Sequence, residues 1–310
     1  MTEFQPKAAV LPAAEDGFRQ AVVEGGGQLT DPARADVIVW TDPHGPEALR
    51  AALAESPARW VQLPLAGIER FVSLGVIDPA RVWTSAKGIY GYACAEHALA
   101  LMVTAARRIH THVLHRTWEA APIGSRHRLF KGSTVLVVGT GGIGRALVSL
   151  LTSLDVRVLA VSRSGAPVEG AELTVSTDGL PELVPEADFV VLAAALTPQT
   201  RHLFGRRMLV RMRPTAWLIN VARGGLIDTA ALVDVLRDGL IGGAGLDVTD
   251  PEPLPADHPL WSCEDAIITP HVANTLDMSL PELRNLVRRN IRHFARGEPL
   301  EALVDPELGY

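Results

Sequence analysis

The chain has 310 residues, of which 47% are apolar and 21% charged, and its formal net charge is −6. This length is more than one hydrophobic core usually needs, so two domains are expected. The composition is that of an ordinary globular protein, and the net negative charge argues against a general nucleic-acid-binding surface.

The first part of the chain, to about residue 93, alternates short β-like runs with helical stretches, as in a parallel α/β sheet. Pro and Gly residues mark the joins between these runs. The predicted strands are Ala8–Leu11, Val37–Trp40, Trp60–Leu63 and Val82–Thr84, and the predicted helices include Gly17–Glu24 and Glu47–Glu55. This pattern predicts a first α/β domain.

A long apolar helix is predicted over Cys94–His110, and a connection containing Pro and Gly follows at Ala121–Gly132. Because Cys94 lies within this apolar pattern, it is predicted to be a small core residue and not a nucleophile paired with His97. A second α/β unit begins at Thr134. Its predicted strands are Thr134–Val138, Arg157–Val161, Phe189–Ala193, Ala216–Asn220, Gly243–Leu246 and Ala266–Ile268, and a last helix covers Leu280–Phe294.

A glycine loop, Gly-Thr-Gly-Gly-Ile-Gly at 139–144, follows the first strand of the second unit and precedes a helical pattern at Arg145–Leu154. The motif alone is weak evidence, but in this context backbone N–H groups at a helix N-terminus can hold a pyrophosphate. Gly139 would make the tight turn, Gly141 would let the phosphates approach, and Gly144 would let helix and strand pack closely. The alternatives are a plain strand–helix turn and a methyltransferase-type nucleotide loop.

The end of the next strand reads Ala-Val-Ser-Arg-Ser at 160–164 and contains no carboxylate. A site for NAD usually has Asp or Glu at this point, which binds the adenosine ribose 2′-hydroxyl. Arg163, between Ser162 and Ser164, suits a 2′-phosphate instead, because a guanidinium binds phosphate through paired, charge-assisted hydrogen bonds. NADP(H) is therefore the predicted cofactor. The alternative is NAD(H), with Arg163 stacked on its adenine.

Three polar residues, Arg223, Glu252 and His271, lie in turns or at the ends of apolar stretches. A 2-keto acid offers a carboxylate and a carbonyl that becomes an alkoxide on reduction. Arg223 can bind the carboxylate and polarise the carbonyl, and Gly224 and Gly225 after it would leave room for substrate and nicotinamide. His271 can protonate the alkoxide, and a nearby carboxylate such as Glu252 would favour the charged imidazole. Each residue alone has an ordinary structural explanation, but together they are predicted at strand ends, where α/β sheets bind ligands.

At these residues the chain resembles the D-isomer-specific 2-hydroxyacid dehydrogenases, over essentially its whole length. Besides the glycine loop, the matching segments are Leu-Thr-Pro-Gln-Thr-Arg at 196–201, Ile-Asn-Val-Ala-Arg-Gly-Gly at 219–225, Gly-Leu-Asp-Val at 245–248, Glu-Pro-Leu-Pro at 252–255 and His-Pro-Leu-Trp at 258–261. The resemblance implies an α/β fold of two Rossmann-like or flavodoxin-like domains with parallel sheets. A substrate-binding domain (1–93 and 276–310) would carry an inserted dinucleotide-binding domain (94–275), with the active site in the cleft between them.

The resemblance also implies that Arg223 anchors the substrate, that His271 is the acid/base and that Glu252 orients it. Ala66 and Gly67 lie in a loop whose backbone N–H groups would hold the substrate carboxylate. The local patterns and the resemblance together place a set of residues at the cofactor. These are Gly139, Gly141, Gly142, Ile143, Gly144, Ser162, Arg163, Ser164, Thr197, Val221, Ala222, Arg223 and Asp247. A homodimer formed through the region 94–131 is a further expectation from the family.

The predicted activity is NAD(P)H-dependent reduction of a small 2-keto acid, of the glyoxylate or hydroxypyruvate type, to the D-2-hydroxy acid. The Ser-Arg-Ser segment and the short chain resemble that subgroup. The alternative is a dinucleotide-sensing binding protein on the same fold, like the transcriptional corepressors related to the family. The presence of all three candidate catalytic residues argues for the enzyme.

The compartment follows from the N-terminus and the cysteines. Glu3, Pro6 and Lys7 stand where a signal peptide needs an apolar core, and no apolar run reaches the roughly 18 residues of a membrane span. Cys94 and Cys263 form no CxxC pair, which fits a reducing compartment and gives no framework for a metal. A cytoplasmic protein without membrane or metal partners is expected.

Overall fold

The computed structural model describes residues 4–13, 15–118 and 126–305, without the side chains of Glu69 and Leu276. The chain divides into two compact units, a first unit of residues 1–90 and 276–310 and a second unit of residues 91–275. In chain order, the second unit is therefore inserted into the first. The beginning of the predicted connection at 121–132 lies outside the described residues.

The first unit is built on a parallel sheet. Its strands are β1 (Lys7–Leu11), β2 (Gln28–Leu29), β3 (Val37–Trp40), β4 (Trp60–Gln62) and β5 (Val82–Thr84), and its first three helices are α1 (Asp16–Glu24), α2 (Pro46–Ala54) and α3 (Glu69–Ser73). The strand order is β2-β1-β3-β4-β5. The four predicted strands are confirmed to within one residue at each end. Strand β2 is not among the predicted strands, because its two residues are too few to show a hydrophobic period.

The second unit is also built on a parallel sheet. Its helices are α4 (Gly91–Ala106), α5 (Ile109–His115), α6 (Gly142–Leu151), α7 (Leu180–Leu183), α8 (Arg206–Leu209) and α9 (Thr229–Arg237). Its strands are β6 (Thr134–Val138), β7 (Arg157–Ser162), β8 (Leu173–Ser176), β9 (Phe189–Leu192), β10 (Trp217–Asn220), β11 (Gly243–Leu246) and β12 (Ala266–Ile268). The six predicted strands are confirmed, and the structure has one further strand, β8, at the edge of the sheet. The predicted α/β class with parallel sheets is thus correct for both units.

The seven-stranded sheet has the order β12-β11-β10-β9-β6-β7-β8. From β6 the chain builds outward to β8 on one side and then returns to add β9 through β12 on the other. The winding direction therefore reverses between β6 and β9. In open parallel sheets, ligands bind outside the carboxyl ends of the strands at such a reversal.

The predicted single helix over Cys94–His110 is wrong in its extent. Helix α4 ends at Ala106, and Arg108 has left-handed backbone angles, with φ +52°, before α5 begins. The reason is tertiary: the buried guanidinium of Arg108 pairs with Asp265 and lies 5.7 Å from the ring centroid of Trp217. A helical period in the sequence cannot reveal such a break at a non-glycine residue.

The last helix, α10 (Leu276–Arg296), belongs to the first unit. It begins four residues before the predicted Leu280, because Pro281 is accommodated inside it. Its apolar face includes Leu283, Val287 and Ile291, which join the core cluster of the first sheet. Among the described residues, no helix is both long and apolar enough to cross a membrane.

Candidate active site

The glycine loop lies at the reversal of the second sheet, and two of its glycines are required by packing. Gly139 follows β6 with φ +100°, and a Cβ there would lie 2.6 Å from the backbone of Ala194 after β9. A Cβ on Gly144 would lie 1.9 Å from the carbonyl oxygen of Gly139. Neither contact can be relieved by moving a side chain, so both positions need glycine.

Gly141 is different, because the protein's own packing does not require a glycine there. It is the N-cap of α6, and a Cβ on it would meet no heavy atom of the described residues within 4 Å. Gly142 is also exposed, whereas Ile143 is half-buried. The first N–H groups of a helix have no partner within it and attract anions. This open helix N-terminus therefore fits the pyrophosphate of a dinucleotide.

The segment after β7 lies beside the glycine loop, since β7 pairs with β6 from Thr134 to Val138. Arg163 and Ser164 are exposed, and Ser162 is half-exposed. The Ser162 hydroxyl accepts a hydrogen bond from the Gly165 N–H at 2.9 Å. Accepting this bond uses a lone pair and leaves the hydroxyl proton to donate, as to a phosphate oxygen.

The loop after β10 carries Arg223 and is organised by Asn220, a residue not singled out from the sequence. Asn220 is completely buried; its Nδ2 donates to the Arg223 carbonyl at 2.9 Å and its Oδ1 accepts from the Ala222 N–H at 3.1 Å. Arg223 is half-buried and extended, and its Nη1 donates to the Ala222 carbonyl at 2.7 Å. The signal for Asn220 is an amide that ends an otherwise apolar buried strand.

The prediction that Gly224 leaves room for substrate and nicotinamide is wrong. A Cβ on Gly224 would lie 2.0 Å from the carbonyl carbon and oxygen of Thr249, so the backbone after β11 occupies that space. The glycine instead allows the loop after β10 and the loop after β11 to approach each other. Thr229 strengthens this contact by donating from its hydroxyl to the Asp250 carbonyl at 2.7 Å.

The loops after β11 and β12 bring Glu252 and His271 together. The Nδ1 atom of His271 lies 2.6 Å from Oε1 of Glu252, and both side chains are about half-exposed, at 49% and 43%. These loops follow adjacent parallel strands, with Leu246 paired to Ile268. A carboxylate in contact with Nδ1 fixes the ring orientation, and Nε2 is then the atom that can exchange a proton with a substrate.

Asp247, predicted at the cofactor, has both of its carboxylate oxygens in hydrogen bonds within the protein. It is 2% exposed; Oδ1 accepts from the Val272 N–H and Oδ2 from the Ala273 N–H, each at 2.9 Å. Its carbonyl accepts from the His271 N–H at 2.8 Å. Three consecutive N–H groups thus converge on this residue, in the manner of an anion-binding nest. They hold His271 at φ +54°, a left-handed conformation that is uncommon for residues other than glycine.

Cys94 is buried on α4, as the sequence predicts. Burial, together with the nearby negative charge of Asp247, raises the pKa of Cys94 to about 11, and the positive charge of Arg223 opposes the shift. The thiol is therefore protonated at neutral pH, and the prediction of a core residue in place of a nucleophile is confirmed.

The remaining predicted residues fall into two groups. Thr197 follows β9, where its N–H donates to the Thr200 hydroxyl at 2.7 Å, and Val221 and Ala222 are buried after β10. Together with the glycine loop, Arg163, Arg223, Asp247, Glu252 and His271, these residues lie at the carboxyl ends of strands of one sheet. Ala66 and Gly67 belong to the first unit, in the half-buried loop between β4 and α3.

Comparisons with known proteins agree on one family. The family model described as D-isomer specific 2-hydroxyacid dehydrogenase, NAD binding domain, matches residues 99–273. An uncharacterized protein from the proB 3′ region of Corynebacterium melassecola is 39% identical, over 94% of this chain and 95% of that protein. The glyoxylate reductase of Thermococcus gammatolerans is 35% identical, over 73% of this chain and 70% of that enzyme.

A solved structure extends the similarity to both units. The D-isomer specific 2-hydroxyacid dehydrogenase from Xanthobacter autotrophicus Py2, in complex with NADPH and MES, superimposes with a TM-score of 0.82. The two chains are 26% identical, and the alignment covers 99% of this chain and 100% of that one.

Proposed function

Because this chain belongs to the D-isomer-specific 2-hydroxyacid dehydrogenase family, it is an NAD(P)-dependent oxidoreductase acting on CH–OH groups, and we propose that it reduces glyoxylate or hydroxypyruvate to the hydroxy acid. The observation that carries this proposal is the contact between His271 and Glu252 at strand ends of the unit that also presents Arg223. The glyoxylate reductases among the relatives support the choice of a small 2-keto acid.

In this proposal each of the three residues has one task. Arg223 binds the substrate carboxylate and polarises the carbonyl, and its charge persists at any working pH. In this step His271, with a proton on each ring nitrogen, donates from Nδ1 to Glu252 and delivers the Nε2 proton to the developing alkoxide. The neutral ring that remains keeps its proton on Nδ1, which donates it in the hydrogen bond to Glu252, and the unprotonated Nε2 can accept a new proton.

The dinucleotide, when bound, supplies the hydride for this reduction. We assign its binding to the second unit, and we assign to the backbone at Ala66 and Gly67, in the first unit, an additional part in binding the substrate carboxylate. The open N-terminus of α6 would hold the pyrophosphate, and Arg163 with Ser162 and Ser164 would hold a 2′-phosphate. The NADPH bound to the Xanthobacter relative supports NADP(H) as the preferred cofactor.

The substitution Arg163→Ala tests the cofactor preference. If the guanidinium binds the 2′-phosphate, the Kd of NADPH should rise about 10- to 100-fold, because a charge-assisted hydrogen bond contributes roughly 1.5–3 kcal/mol. The Kd of NADH, which lacks the phosphate, should change less than about threefold. Both constants can be measured from nicotinamide fluorescence on binding. Arg163→Lys, which keeps the charge without the paired donors, should fall between. Equal losses for NADPH and NADH would instead favour stacking on adenine.

One experiment tests the activity itself. A panel of 2-keto acids that includes glyoxylate, hydroxypyruvate, pyruvate and 2-ketoglutarate is supplied with NADPH and, separately, with NADH, and loss of absorbance at 340 nm is followed. Preferential turnover of glyoxylate or hydroxypyruvate with NADPH is the expected result. Tight dinucleotide binding without turnover of any keto acid would favour a dinucleotide-sensing binding protein.

We also propose that the protein is a homodimer formed through the region 94–131. Helix α5 supports this, because Val113, Leu114 and, just after it, Trp118 expose large apolar side chains. Leu114→Asp should therefore convert a species of twice the monomer mass into monomer, as measured by sedimentation velocity. Val23→Asp, at an exposed apolar residue on α1, serves as the matched control and should leave the mass unchanged. A monomeric wild-type protein would contradict the proposal.

A further inference from the structure

A fourth polar side chain, His97, reaches the loop that carries His271 although the mechanism above does not use it. His97 lies on α4, and its Nε2 atom is 3.0 Å from the Thr269 hydroxyl oxygen and 3.5 Å from Oδ1 of Asp247. Its side chain is 21% exposed and that of Asp247 only 1%. The second unit contains all of the residues named here, His97, Asp247, Thr269 and His271.

The distances fix the direction of these hydrogen bonds. The Thr269 oxygen lies 2.6 Å from Oδ1 of Asp247, and a carboxylate can only accept, so the Thr269 hydroxyl proton points to Asp247. The Thr269 oxygen must then accept from His97. Nε2 of His97 is therefore protonated, since an unprotonated Nε2 would direct its lone pair at two acceptors.

This bond matters because Asp247 holds the backbone of His271. The buried carboxylate and carbonyl of Asp247 accept from the N–H groups of residues 271, 272 and 273. If Thr269 loses its donor, its hydroxyl can rotate away, and a buried carboxylate loses one of its few compensating bonds. The left-handed backbone of His271, which is intrinsically unfavourable, is then less tightly held.

We propose that His97 is a positioning residue for the reduction: its Nε2–H keeps the Thr269 hydroxyl directed at Asp247 and thereby holds the 269–273 loop that presents His271. The inference rests on the proposed function only in taking His271 as the proton donor. In this proposal His97 contacts neither substrate nor cofactor.

A matched pair of variants isolates the donor. In His97→Gln the terminal amide nitrogen reaches the place of Nε2, whereas in His97→Asn the shorter amide reaches only the place of Nδ1. Both are neutral amides on the same helix. We expect His97→Asn to lower kcat about 10- to 100-fold, because small misplacement of a catalytic group has effects of this size. His97→Gln should stay within about threefold of wild type, and the Kd of NADPH should change little in either variant.

A double-mutant cycle tests the route through Thr269. Thr269→Val removes the hydroxyl while keeping the branched shape, and it should lower kcat about as much as His97→Asn does. If the two residues act in one chain, the double variant should be no slower than the slower single variant. Glu96→Gln, at an exposed neighbour on α4, is the control for the helix and should keep wild-type kcat.

A measurement without turnover separates this inference from the proposed function. The ¹⁵N NMR shifts of selectively labelled histidines report which ring nitrogen is protonated, and the signal absent from His97→Gln identifies His97. Wild type should show a protonated Nε2 on His97, and Thr269→Val should shift that signal. Failure of wild type to reduce any keto acid would refute the proposed function alone. An unprotonated Nε2, a normal kcat in His97→Asn, or multiplicative losses in the double variant would overturn the role of His97.

Discussion

Replacing His271 by Asn is expected to lower kcat for glyoxylate at least about 100-fold, the size of a general-acid contribution. Asn tolerates left-handed backbone better than most residues, so the φ of +54° at this position should persist. The amide cannot supply the proton that the imidazole holds at Nε2. Because the loop backbone is retained, the Kd of NADPH should change little. The measurement is steady-state reduction of glyoxylate at saturating NADPH.

His202 provides a matched control for this substitution. It is also a histidine with left-handed backbone, at φ +53°, but it is exposed and its backbone N–H donates to the Gly225 carbonyl. His202→Asn should keep kcat within about twofold, because no proton transfer is assigned to it. Glu252→Gln, which removes the carboxylate 2.6 Å from Nδ1, should cause a smaller loss than the His271 change. A near-normal rate in His271→Asn would remove this histidine from the mechanism.

Replacing Arg223 by Lys should lower kcat/KM for glyoxylate by about 100- to 1,000-fold, although the charge is kept. An ammonium is a point charge that cannot form the paired hydrogen bonds of a planar guanidinium with a carboxylate. The substitution also removes the fixed donor that stabilises the developing oxyanion. Loss of one such donor lowers kcat by about 100- to 1,000-fold. Both kcat and KM should be affected, since the same group binds substrate and stabilises charge.

Arg237→Lys, at an exposed arginine in the last turn of α9, is the control and should leave kcat/KM unchanged. The Arg223 carbonyl and the Ala222 N–H are held by Asn220, so the backbone of the loop should survive the change of side chain. An unchanged KM together with a reduced kcat in Arg223→Lys would show that the residue acts on the transition state without anchoring the carboxylate.

The strands and the order of the site residues could be predicted from local patterns. Helices cover both faces of a parallel sheet, so its inner strands are mostly apolar, as in β3, β6 and β9. Such apolar runs can be recognised in the sequence before the fold is known. The glycine loop can be predicted as a nucleotide-binding turn because it joins one of these strands to a helix. Residues that directly follow such strands, Arg163 among them, are therefore placed at one edge of the sheet by the sequence.

Other features depend on contacts between distant parts of the chain. The break at Arg108 depends on an ion pair with Asp265, 157 residues away. The requirement for glycine at 224 depends on the backbone of Thr249, and the local pattern suggested open space there instead. The role of Asn220 is not predictable from local patterns, because one amide at the end of an apolar strand gives no periodic signal.

By itself the sequence determined the α/β class, the strand-end positions of Arg223, Glu252 and His271, and the Arg163 segment beside the glycine loop. These follow from periodicity and from the chemistry of single residues, which are local properties. Only the tertiary structure decided that Nδ1 of His271 contacts Glu252, and that His97 bonds Thr269 across 172 residues. Hydrogen bonds need distances near 3 Å, and the chain reaches such distances between remote residues only after the sheet and helices have packed.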